Sequence, residues 1–102
     1  MTEHELFNAA AIAGRLAVVG MEDRYPCGFA MVLIRPARGK FVKYLKDNNI
    51  GRAGTYGGYI ISSHDTCAFQ GQNVDAKEEG CYAFAAVLQA NGINASVESR
   101  LD

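Results

Sequence analysis

The 102-residue sequence contains no uninterrupted apolar run approaching the roughly 18 residues that a membrane-spanning helix needs. No export segment is expected. The chain opens Met-Thr-Glu-His-Glu, acidic where an export signal is basic, so a cytoplasmic location is expected. Cysteine is scarce and odd in number: Cys27, Cys67 and Cys81 match no disulfide framework and are expected as reduced thiols, Cys27 and Cys81 within apolar stretches. Histidine is scarcer still. With only His4 and His64, a four-ligand zinc site would have to draw in cysteines that are better explained as core. No repeat, linker or low-complexity segment divides the chain, and its length suits a single domain over residues 1–102. An apolar fraction of 49% with 21% charged residues excludes disorder.

What is present is a series of amphipathic segments. Thr2-Glu3-His4-Glu5 has the form of a capping box, and Leu6, Ala10, Ala13 and Ala17 recur at helical spacing behind it. The small side chains of this helix would allow close approach to a neighbour. Cys27 to Ile34 is an eight-residue apolar run stopped by Arg35-Pro36, which reads as a central strand covered on both faces. Residues 37–48 read as a short helix through Phe41, Val42 and Leu45, with Asn48-Asn49 and Gly51 as its stop. Residues 51–58 hold four glycines and read as a turn. Tyr59-Ile60-Ile61 is a strand core, with Cys67-Ala68-Phe69-Gln70 as a candidate hairpin partner.

The last third is the most sharply patterned. Asp75-Ala76-Lys77-Glu78 is a second capping box, and Ala76, Gly80, Ala83, Phe84, Val87 and Leu88 form one stripe. Asn91-Gly92-Ile93 matches a Schellman ending. From Ile93 to Leu101 apolar or small residues alternate with Asn94, Ser96, Glu98 and Arg100, the period of a strand with one solvated face near a sheet edge. The expected fold is α+β, in the order α-β-α-β(β)-α-β, with a three- or four-stranded sheet packed against helices. An open edge at the final strand offers a route to a homodimer.

Chemical motifs are sparse. Ser62-Ser63-His64-Asp65 contains the residue types of a triad, but chain neighbours in a strand point to opposite faces. A dyad of Cys67 and His64 assembled in space is the remaining nucleophilic arrangement. The glycine-rich run lacks the Gly-Lys-Ser/Thr ending of a phosphate-binding loop. No catalytic residue, metal ligand or cofactor is assigned. Charge is more informative. Between Arg35 and Arg52 lie six basic residues and one acid, a net of +5, which leaves −6 on the remainder of a chain whose total is −1. Such asymmetry points to a polyanion-facing side. Arg52, Tyr56 and Tyr59 interleave cations with rings, as single-stranded nucleic-acid binding does.

Several segments together carry a resemblance: Tyr25-Pro26-Cys27-Gly28-Phe29-Ala30, Arg35-Pro36-Ala37-Arg38-Gly39-Lys40-Phe41, Gly57-Gly58-Tyr59, Gly71-Gln72-Asn73-Val74-Asp75-Ala76-Lys77-Glu78, and the ending Ser99-Arg100-Leu101-Asp102. In combination, from about Tyr25 onward, they resemble a group of small uncharacterised proteins encoded in tailed-bacteriophage and prophage genomes. The resemblance implies a setting and transfers no functional residue. Phage accessory proteins of this size often bind a host component and block it, inhibitors of bacterial defence such as anti-CRISPR proteins among them. The expected function is therefore a non-enzymatic accessory protein that binds a host or phage macromolecule. Its partner-binding residues are expected to be Arg35, Arg38, Lys40, Lys43, Lys46, Arg52, Tyr56 and Tyr59, with exchange of the three lysines for glutamate expected to abolish binding. One alternative is a nucleic-acid-binding accessory protein that uses the same basic 35–52 segment. The second is a small enzyme built on His64 and a cysteine.

Overall fold

The computed structural model describes residues 1–102 and places the chain in one α+β domain. Helix α1, Glu3–Ala17, starts as its sequence dictates: Thr2 Oγ1 accepts the Glu5 N–H at 3.1 Å and Glu5 Oε1 accepts the Thr2 N–H at 2.9 Å. Strand β1, Gly28–Ile34, follows. Helix α2, Lys40–Asp47, begins three residues later than the spacing suggests, because Gly39 at its N-cap has φ 104° and holds the preceding turn out of the helix. Strands β2, Arg52–Ala53, and β3, Tyr59–Ser62, form a hairpin around the glycine run, closed by the Gly54 N–H donating to the Gly58 carbonyl at 2.9 Å.

A single turn, α3, Ser63–Thr66, leads out of β3. The strand expected at Cys67–Gln70 does not form. Both edges of β3 are already taken, by β2 on one side and β1 on the other, so no ladder is left for it. The Cys67 and Ala68 N–H groups instead both donate to the Ser63 carbonyl, at 3.1 and 3.0 Å.

Helix α4, Val74–Ala90, is capped two residues before the expected Asp75. Asn73 takes the position, its Oδ1 accepting the Ala76 N–H at 2.9 Å, and Asp75 falls in the first turn. The Schellman ending forms as its sequence specifies: the Ile93 N–H donates to the Leu88 carbonyl and the Gly92 N–H to that of Gln89, both at 3.0 Å, with Gly92 at φ 83°. Strand β4, Ala95–Leu101, completes an antiparallel sheet of order β2-β3-β1-β4.

The helices gather on one side of this sheet. Ala30, Val32 and Ile34 of β1, Tyr59 and Ile61 of β3 and Ala95 of β4 join one core with Leu6, Ala10 and Ala11 of α1, Phe41, Val42 and Leu45 of α2, and Cys81, Phe84, Ala85 and Leu88 of α4. Strand β1 is central, as its apolar run suggests, but it is not covered twice. Its alternate residues Phe29, Met31 and Leu33 face away from the helices. Of these only Leu33 is fully buried, and it is the glycine hairpin that covers it: a Cβ on Gly58 would stand 2.6 Å from Leu33 Cδ1.

Candidate functional site

The helix-free face of the sheet is the surface with a distinctive chemistry. Strand register sets its rows. Arg52 lies opposite Ile60, Ile60 opposite Leu33, and Leu33 opposite Ser96. Ser62, Met31 and Glu98 form the next row, and Phe29 lies opposite Arg100. Two adjoining depressions of about 370 and 280 Å³ run over these residues and share Met31, Arg52, Ile60 and Arg100. Arg35 and the glycine hairpin, with Tyr56 near its tip, wall the larger one.

The floor is apolar and the rim is cationic. Arg35, Arg52 and Arg100 are exposed around Met31, Ile60 and the half-exposed ring of Phe29, against one acid, Glu98. Guanidinium groups offer planar, fork-like donors suited to phosphate and carboxylate, which a lysine ammonium does not. Phe29 is 49% and Tyr56 92% exposed, so each has a ring face free for stacking. Phe29 is steadied from behind: Lys77 Nζ, buried under α4, lies 5.6 Å from its ring centroid and donates to the Gly28 carbonyl at 2.8 Å.

The basic segment of the sequence divides between two regions. Arg35 and Arg52 reach the open face with Tyr56, whereas Lys40, Lys43 and Lys46 are carried on the solvent side of α2, in the helical layer. Lys43 is paired with Asp47 at 2.7 Å, the ordinary i, i+4 contact of an exposed helix. Arg38 sits in the bend before α2, beside Lys40 and the Gly92–Asn94 turn. Tyr59 is withdrawn altogether. It is 4% exposed in the core, and its hydroxyl donates to the Ile50 carbonyl at 2.6 Å, so it presents no ring to a partner. Burial pushes its phenol pKa up. Arg100 and Phe29 were not among the residues singled out from the sequence. The polar alternation that places Arg100 on a solvated face was legible; its placement opposite Phe29 was not.

The cysteines and histidines do not converge. His64 is exposed on α3, while Cys67 is buried with its Sγ directed at the Ser63 carbonyl, 3.5 Å away. Cys81 is buried against Thr66 Oγ1 at 3.3 Å, and desolvation pushes its thiol up to about 12, so it is protonated at neutral pH and not the thiolate that reacts. No group of three or more His, Cys, Asp or Glu side chains is placed to hold a metal ion. A larger depression of about 500 Å³ lies between the end of α1 and the 67–71 loop. Its one acid, Asp23, is already engaged, with Oδ1 accepting the N–H groups of Gln72 and Asn73 at 2.7 and 3.0 Å. No helix is long and apolar enough to cross a membrane.

Comparison with protein-family models, with curated proteins and with solved structures matches this chain to none of them.

Proposed function

We propose that the protein is a non-enzymatic binding module whose contact surface is the open face of its sheet, and that its partner is a single-stranded nucleic acid. The observation that carries this reading is the trio Arg35, Arg52 and Arg100 set around an apolar floor with exposed rings at Phe29 and Tyr56. Arginine charge follows a phosphate backbone while rings stack bases, a combination tolerant of sequence. A chain of net charge −1 offers a polyanion no general attraction, so the contact depends on a local cationic patch such as this one. A bacteriophage setting, with blockade of a host defence complex such as CRISPR as the outcome of binding, rests on the sequence resemblance alone.

The test is fluorescence anisotropy of a labelled 12-nucleotide single-stranded DNA titrated with the purified protein over a range of salt. Three phosphate contacts give a slope of log K against log salt of about −2. Arg52→Glu together with Arg35→Glu should weaken binding at least tenfold, while the triple exchange of Lys40, Lys43 and Lys46 for glutamate should change it by less than about threefold. Absence of binding at 50 mM salt, or binding that the arginine exchanges leave unchanged, refutes the proposal. Loss of binding in the lysine variant alone would move the contact to α2.

A further inference from the structure

We infer that the free edge of β4 pairs with the same edge of a second copy, antiparallel and in one register, with the two-fold axis passing between the two Ser99 residues.

The backbone decides which residues are available. The Arg35 N–H donates to the Asn94 carbonyl at 3.1 Å and the Asp102 N–H to the Cys27 carbonyl at 3.2 Å. Residues 94 and 102 therefore turn their polar groups toward β1. Because antiparallel ladders alternate, so do residues 96, 98 and 100, and the outward groups belong to Ala95, Val97, Ser99 and Leu101. Ala95 is partly used: its carbonyl accepts from Gln89 Nε2 at 2.7 Å. The unpaired edge is thus Val97–Ser99–Leu101, with no proline or bulge to block it.

A two-fold axis allows only registers that pair outward residues with outward residues. Centred on Val97, the ladder would place Ala95 against Ser99 of the second copy and leave Glu98 facing a serine. Centred on Glu98, it would set the two Glu98 carboxylates face to face. Centred on Arg100, it would set the two Arg100 guanidinium groups face to face. Centred on Ser99, it pairs Ser99 with Ser99 and Val97 with Leu101 through backbone hydrogen bonds, and sets Glu98 opposite Arg100 twice. The run Val97-Glu98-Ser99-Arg100-Leu101 is in this sense its own complement. The Glu98–Arg100 positions are also the closer, non-hydrogen-bonded kind, at about 4.5 Å between Cα atoms, where opposite charges meet best.

Two exposed apolar side chains lie where this pairing would cover them. Leu101 is 62% exposed and would pack on Val97 of the second copy. Tyr82 is 57% exposed on α4, four residues after Glu78 and seven before Gln89, both of which bond to β4. It therefore stands on the helical stripe that borders the free edge. Pairing would join two four-stranded sheets into one of eight strands with both open faces on the same side.

The experiment is sedimentation equilibrium of the untagged protein from micromolar to several hundred micromolar, without nucleic acid, so that its outcome is separate from the binding test. The expected result is a mass twice the 11.0 kDa of one chain. Glu98→Arg and Arg100→Glu, each alone, should weaken the dimer roughly tenfold or more by setting like charges opposite each other. The double exchange should restore it to within about threefold of the original. Far-UV circular dichroism checks that each variant is folded, and hydrogen exchange at Val97, Ser99 and Leu101 in the parent should slow as concentration rises. A monomer throughout the range overturns the inference. So does a dimer indifferent to the single exchanges, or one that the double exchange fails to rescue.

Discussion

Asn73 Oδ1 accepts the backbone N–H of Ala76 at 2.9 Å, and Asn73 is fully buried while it does so. The same side chain donates to the carbonyls of Arg24 and Pro26, at 2.8 and 3.2 Å. One amide thus starts the longest helix and ties down the loop that delivers the chain to β1.

Replacing it tests that double role. Asn73→Ala removes the cap, strips the Arg24 carbonyl of its donor and leaves the Pro26 carbonyl with the Val74 N–H alone, and should destabilise the fold by about 2–4 kcal/mol. Asn73→Asp keeps an acceptor for the cap but no donor, so it should recover only part of the loss. Urea denaturation, read as a shift in midpoint at constant slope, checks both.

The contact of α1 with α3 and α4 depends on a missing side chain. A Cβ built on Gly14 would overlap the carbonyl oxygen of Thr66 and stand 3.2 Å from that of Gly80. Backbone cannot swing aside as a flexible side chain can, so Gly14→Ala should cost about 1–3 kcal/mol despite alanine's better helix propensity. Gly20→Ala is a useful contrast. No atom lies within reach of a Cβ there, and any loss reflects its φ of 78°. Thermal unfolding of the two variants separates crowding from backbone strain.

Cys81 should be inert in the folded protein. Desolvation holds its pKa at about 12, so at pH 8 almost none of it is thiolate. Iodoacetamide followed by peptide mass spectrometry should leave Cys81 unmodified in native buffer and label it fully in denaturant. Labelling in native buffer at the rate of a free thiol would show that the helical layer opens far more readily than its packing implies.

The first turn of α1 should respond to acid. Hydrogen bonds from Thr2 hold the Glu5 carboxyl below the usual carboxylate range. A group whose pKa is depressed by folding contributes stability that is present above its unfolded pKa and is lost as pH falls through the folded value. Protection of the amides at the start of α1, taken relative to their intrinsic exchange rates at each pH, should therefore fall once pH drops below the ordinary glutamate range. Glu5→Gln retains an acceptor for Thr2 but cannot titrate, and should remove that component of the acid response.

Much of the secondary structure was legible locally, because its signals act within a few residues. Thr2 and Glu5 reach each other across one turn, and Asn91-Gly92-Ile93 terminates α4 through bonds to Gln89 and Leu88. The alternation from Ile93 to Leu101 needs only the pleat of one strand. Asp75 misled for a related reason. It has the right neighbours for a cap, but Asn73 wins because its amide also satisfies Arg24 and Pro26, some 50 residues away in the chain.

The candidate site belongs to tertiary structure. Composition could mark the 35–52 segment as basic, yet Arg35 and Arg52 share a surface with Arg100 only because β2 pairs with β3, β3 with β1, and β1 with β4. The same segment puts its lysines on α2, because Phe41, Val42 and Leu45 must turn inward, and it buries Tyr59 because β3 alternates. Apolar residues on both faces of β1 suggested cover on both; the chain supplies one helical layer, and the glycine hairpin covers only Leu33 on the other face. By itself the sequence determined α1, α2 and α4, the stops of α2 and α4 and the strand periods, since each rests on contacts within a turn or a pleat; it did not mark the single turn α3 or the two-residue β2. Which strands became neighbours, which face stayed open and which arginines met there were decided by long-range pairing, where the energy depends on partners that no local pattern specifies.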